Sequence, residues 1–184
     1  MPEPVLPDLL RPGLAVVFCG TAAGRLSAQK GQYYAHPQNR FWRTLHATGL
    51  TPRQFAPHEY PRLLELGIGA TDIAKHVSGM DHQLPKGSLG RDALDDLRAR
   101  IAAVKPKLLA FTSLEGGRRF VGAKAKHGKQ ALTLGETGIW ILPSPSPLAQ
   151  SAWNESVWHA LAEDVRSHRH GRLESSQGAS QSLR

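Results

Sequence analysis

Two short polar loops hold most of the chemistry this sequence can offer. Gly31–Trp42 reads GQYYAHPQNRFW, and Ser144–Ala149 reads SPSPLA. A loop so rich in stacking and hydrogen-bonding groups is costly to order unless it holds something. Tyr33 and Tyr34 can stack on a planar ligand, because an aromatic face accepts any base. Asn39 offers a carbonyl acceptor and an amide donor together, so it can orient a water or read a base edge. It can equally cap the helix that follows, while Pro37 stiffens the loop. His36 lies beside it. In SPSPLA the prolines fix the backbone and hold Ser144 and Ser146, an arrangement suited to phosphate. Leu148 can enter a base stack as an apolar wedge, or pack onto its own domain. Asp72 stands in the Gly-rich apolar segment GIGATDI. A carboxylate at a strand end beside a cleft can act as a base, or simply hold a loop.

The elements that must position these loops follow from periodicity. Leu14–Cys19 is a continuous apolar run bounded by glycines, as in a strand buried on both faces. GTAAG (Gly20–Gly24) reads as a tight turn out of it. Phe41, Trp42, Leu45 and Ala47 recur at near-helical spacing, so the two aromatics read as core. Pro57–Leu66 reads as a second helix, Gly67–Ile73 as a short buried strand or turn, and Gly79–Arg91 as a loop. Asp92–Val104 is amphipathic, with Leu94, Leu97, Ile101 and Val104 on one face. Pro106–Phe111 reads as a strand and Leu114–Ala123 as a short helix. Lys129–Leu134 and Ile139–Leu142 read as strands, and Trp153–Val165 as a final helix. Strands alternating with helices imply a mainly parallel sheet covered on both faces. The chemically odd segments follow strands, so they share one sheet edge, where α/β proteins bind ligands.

The 184 residues carry a formal charge of +8 and a pI near 10.1, which favours a polyanionic partner such as nucleic acid. Residues 1–172 are expected to form a single domain, and the polar Ser- and Gly-rich residues 173–184 a disordered tail. The apolar run LAVVFC is far too short for a membrane span, and the N-terminus lacks the pattern of a signal peptide. A cytoplasmic location is therefore expected. The single Cys19 cannot form an intramolecular disulfide, nor by itself an iron–sulfur or zinc site. The histidines show no metal-ligand spacing, so no metal and no cofactor is expected. No serine is framed as G-x-S-x-G, and GTAAGR lacks the Lys-Ser/Thr ending of a P-loop.

GLAVVFCG followed by AHPQNRFW, the YYAHPQN form of the loop, and KQALTLGETGIWILPSPSPLA together resemble the uracil-DNA glycosylase superfamily. The similarity is nearest to its mismatch-specific uracil/thymine and hypoxanthine branches. It implies a three-layer α/β/α sandwich around a central, mainly parallel four-stranded sheet. It also implies a monofunctional, monomeric glycosylase acting on DNA that contains uracil or another deaminated base. In the resemblance, Gly20, Thr21 and Ala22 belong to the first motif, and Ala22 stands where the mismatch-specific branch has a water-positioning asparagine. Ser144 stands where many members have histidine or asparagine. With both usual groups absent, Asn39 becomes the best water-positioning residue, since the hypoxanthine branch resembles this chain at HPQN. His36 or Asp72 would assist. Tyr34 corresponds to the aromatic that stacks on the flipped base, and Leu148, after Pro147, to the residue that fills the vacated stack. Ser146 and Ser27 would hold phosphate. Two other readings remain: a non-catalytic binder of damaged or abasic DNA, and an unrelated small-molecule α/β hydrolase using Ser144 or Ser146 as nucleophile.

Overall fold

Alternation along the first strand explains the layers. The structure, a computed structural model, describes residues 2–181, with side chains described through Arg169. In β1 (Val16–Ala23), Val16 and Phe18 enter one core, and Val17 and Cys19 the other. Successive side chains of a strand point to opposite faces, so a run with both faces covered is apolar throughout. The remaining strands are β2 (Ile68–Ser78), β3 (Leu108–Phe111), β4 (Gly128–Leu134) and β5 (Thr137–Ile141), in the order β2-β1-β3-β5-β4. The first four of that order are parallel.

The fifth strand is a correction to the four-stranded expectation. β4 pairs antiparallel with β5, and only Gly135 and Glu136 separate the two. A two-residue connection can make only an antiparallel hairpin, and Gly135 supplies the positive φ of 57° that such turns need. β4 is mostly exposed, as suits an edge.

One face of the sheet is covered by α2 (Phe41–Ala47) and α5 (Glu155–Gln181), whose Phe41, Leu45, Trp158, Leu161 and Val165 are buried. The other face is covered by α3 (Arg91–Val104) and α4 (Leu114–Val121), through Leu97, Ile101 and Phe120. Helix α4 lies close because its glycines permit it. A Cβ on Gly117 would stand 2.5 Å from the Ile141 side chain.

Several local readings are corrected. GTAAG is not a turn, since β1 continues through Ala23 by pairing with β2. β2 extends to Ser78. A short helix, α1 (Arg25–Lys30), occupies the start of the polar loop and ends at Gly31 with φ 64°. Pro57–Leu66, read as a helix, is 3-10, and the SPSPLA loop runs into a kinked 3-10 segment, Pro147–Ala152. The Pro-rich lead-in lies along the free edge of β2, with Leu9 bridged to Ala70 and Val5 N–H donating to Lys75 O at 2.7 Å. Unpaired edge groups are thereby covered. Cys19 is buried in the core, as expected, and burial pushes its thiol up. No helix among the described residues is long and apolar enough to cross a membrane. Residues 170–181 are described as backbone only, and residues 182–184 of the expected tail lie outside the described residues.

Candidate active site

Strand lengths create the site. β3 and β5 stop level with Cys19, since Cys19 pairs with Phe111 and Phe111 with Ile141. β1 and β2 run on, which leaves a ledge where Gly20 pairs with Asp72. Gly20 is required there because the Asp72 carboxylate overlies it. A Cβ on Gly20 would stand 2.5 Å from Asp72 Oδ1 and 3.7 Å from the Tyr34 hydroxyl. Tyr34 bonds Thr112 Oγ1 at 2.9 Å, and Thr112 follows β3 at the same edge.

Asp72 is 5% exposed, and its carboxylate oxygens make no hydrogen bond among the described residues. Burial pushes its pKa up to about 6, against the pull of Lys75 and Arg100 and with a further push from Asp8. The two cations are near but engaged elsewhere. Asp8 takes Lys75 Nζ at 2.7 Å and Arg100 Nη1 at 3.4 Å, and accepts from Thr71 Oγ1 at 2.6 Å. Arg100 Nη2 donates to the backbone carbonyl of Asp72 at 3.1 Å, not to its carboxylate. Lys75 also donates to the Tyr33 hydroxyl at 3.3 Å, and that hydroxyl donates to Pro7 O at 3.0 Å. Asp8 on the lead-in and Asp96, whose Oδ2 takes Arg100 Nε at 2.8 Å, thus pair the two cations, and Asp72 makes no ion pair among the described residues.

The aromatic loop is held at several points. Ser27 is buried, and its Oγ accepts from Ala35 N–H at 3.0 Å. It supports the loop from inside, which is no position for phosphate. Trp42 Nε1 donates to Tyr33 O at 3.2 Å. Tyr34 carries a φ of 51°, and its ring stacks on Phe41 with centroids 3.9 Å apart. Burial pushes its phenol well up, so it is neutral. Asn39 Oδ1 accepts from Phe41 N–H at 2.9 Å just ahead of α2, a cap-like contact, and its amide NH2 has no partner among the described residues. His36 is exposed, and its Nδ1 accepts from Gln38 N–H at 3.1 Å. Its proton in the neutral form therefore sits on Nε2.

The two loops meet directly: Arg40 N–H donates to Pro145 O at 2.9 Å. Ser144 Oγ accepts from Ser146 N–H at 3.2 Å, and Ser146 Oγ from Leu148 N–H at 3.3 Å. Each hydroxyl keeps its own proton to give. Neither is bonded to a histidine or carboxylate among the described residues, so nothing activates a nucleophile as the hydrolase reading requires. Leu148, just after Pro147, is 74% exposed, which removes the reading that it packs on its own domain. Thr21 is tied to Asp81 by its hydroxyl, and Ala22 packs against the second core. Neither offers a free polar group to a substrate.

The sequence model of the Uracil DNA glycosylase superfamily matches residues 7–163. The chain belongs to that superfamily. Its fold also resembles a solved one, the solution NMR structure of a "putative Uracil DNA glycosylase from Methanosarcina acetivorans". The two are 23% identical with a TM-score of 0.58, over 88% of this chain and 96% of that one.

Sequence reasoning missed Thr112 and the Asp8–Lys75–Arg100 network. Thr112 had one available signal, its place directly after the strand PKLLAF. The network had none, because its members are 63 or more positions apart from Asp8 along the chain, as with Thr71. Among the described residues no group of histidine, cysteine and carboxylate side chains could hold a metal.

Proposed function

We propose that this chain is a monofunctional DNA glycosylase that hydrolyses the N-glycosidic bond of uracil, and of hypoxanthine as a further substrate, in DNA. The observation that carries the reading is the Asp72 carboxylate: buried, unpaired and raised towards neutral pH on the ledge beside Tyr34. Cleavage develops positive charge on the sugar and negative charge on the departing base. An ionised Asp72 serves both needs of the sugar side. It stabilises the cation and accepts a proton from the water that attacks C1′.

The rest of the site divides the remaining work. The flipped base stacks on the Tyr34 face not covered by Phe41. Asn39, its carbonyl held by the Phe41 N–H, presents its amide to the carbonyl oxygen of the leaving base, where charge accumulates. His36 donates from Nε2. Gly20 leaves room for the Asp72 carboxylate, and the hydroxyls of Ser144 and Ser146 bind the flanking phosphates. Leu148 fills the gap left by the extruded nucleotide. The chain is expected to act as a monomer without metal or cofactor.

A panel of duplexes, each with a single uracil, hypoxanthine, or mismatched thymine, tests the proposal. Released base and an alkali-labile abasic site are expected from uracil first. Tight retention on the lesion or abasic duplexes with no base released would favour the non-catalytic binder instead.

A further inference from the structure

Arg40, the N-cap of α2, and Arg43, Thr44 and Ala47 within the helix fall along one stripe, at spacings that share a helix face. With Trp153 and Glu155 they line a cavity of 260 Å³ outside the ledge. Its polar groups are donors in excess. Among the described residues, neither the Arg40 nor the Arg43 guanidinium makes a salt bridge or hydrogen bond. Arg40 Nη1 is sealed from solvent without a partner, while its guanidinium carbon lies 5.1 Å from the centre of the Trp153 ring. The Thr44 hydroxyl also has no hydrogen-bond partner among the described residues. The single acid, Glu155, leans towards His159 on the next turn of α5, at 3.6 Å.

We propose that this cavity is a phosphate-binding subsite for the DNA backbone, separate from the lesion pocket, with Arg40 and Arg43 as its charges and Thr44 as a donor. The proposal rests on the reading that the chain acts on DNA. Its placement fits that role. Trp153 ends the 3-10 segment that begins beside the exposed Leu148. The segment is kinked at Ala149, and five residues reach at most about 17 Å, a few nucleotides at about 3.4 Å of axis each. The Arg40 N–H bond to Pro145 O ties the cavity's wall to the SPSPLA loop. A guanidinium fork matches phosphate geometry, and stacking on Trp153 holds Arg40 ready.

The test is the salt dependence of binding to an undamaged duplex, for the wild type, Arg43→Gln and Arg40→Gln, with melting recorded for each. Every lost phosphate contact should bring the slope of log affinity against log salt nearer zero by about 0.9. Between 50 and 200 mM salt the wild type should then lose about 3.5-fold more affinity than either variant. Arg43 is exposed and contacts nothing it must keep, so Arg43→Gln decides the matter if Arg40→Gln fails to fold. An unchanged slope in a folded variant overturns the subsite, as does a wild type without affinity for DNA. An unchanged slope would instead suit an acidic protein partner. Base release from a uracil duplex is scored separately. Its absence alongside a reduced slope sinks the glycosylase reading and leaves the subsite standing.

Discussion

Asp72→Asn should make the protein more stable and less active, and the stability gain should depend on pH. The ordinary Asp pKa is 3.8, and burial raises it to about 6 in the fold. Between those values the folded chain holds a proton that the unfolded chain has released. Stability therefore falls as pH rises through this window, by about 1.4 kcal/mol per pH unit. Above pH 6 the full cost has accumulated, roughly 3 kcal/mol. Asparagine has nearly the same shape and never ionises, so the variant should gain on the wild type by one to about three kcal/mol at pH 7. Below pH 4 the two should melt alike. Urea unfolding from pH 3.5 to 8 measures the difference directly. A variant less stable at every pH would refute the reasoning, since it would mean that Asp72 is paired in the fold. The same substitution should slow single-turnover base release roughly 10²–10⁴-fold, the range for a positioned base.

Other consequences are open to direct measurement. Asn39→Ala should cost about 1 kcal/mol of stability through the lost cap and should also slow base release about 10²-fold, as for one lost transition-state donor; a melting shift with a normal rate would reduce Asn39 to a cap. Leu148→Ala should slow release from duplex more than from single strands, because the wedge offsets the few kcal/mol of unstacking that only a duplex exacts; an equal effect on both substrates would remove the wedge. Gly20→Ala forces the Asp72 carboxylate aside, since the new Cβ would stand 2.5 Å from Oδ1; release should fall by at least tenfold, and a rate near the wild type would show that the carboxylate's position does not matter.

The parts of this fold that were legible in sequence are those fixed by local pattern. The apolar run Leu14–Cys19 reads as a strand because both faces of β1 are covered, and Asp92–Val104 as a helix because only one face of α3 is. The illegible parts depend on distant partners. Thr71, Asp72 and Lys75 break the apolar pattern of β2, so the strand looked short. Thr71 and Lys75 are tolerated because Asp8, from the lead-in, pairs with both. GTAAG reads as a turn from its glycines and small residues, and only the pairing with β2 holds it in a strand. At the site, Asp72 was conspicuous as a charge among apolar residues, and Asn39 as a cap that could double as a donor. Nothing in the sequence could show that the Asp72 carboxylate is left unpaired, since that depends on which acid takes the nearby cations.

The pH dependence of single-turnover uracil release from a one-lesion duplex tests the central claim most directly. If Asp72 is the base, the rate should climb tenfold per pH unit below about 6 and level off above it. Asp72→Asn should lose most of the rate and all of that acid limb. A wild-type rate that is flat from pH 4.5 to 8, or an acid limb that survives in Asp72→Asn, would contradict the account.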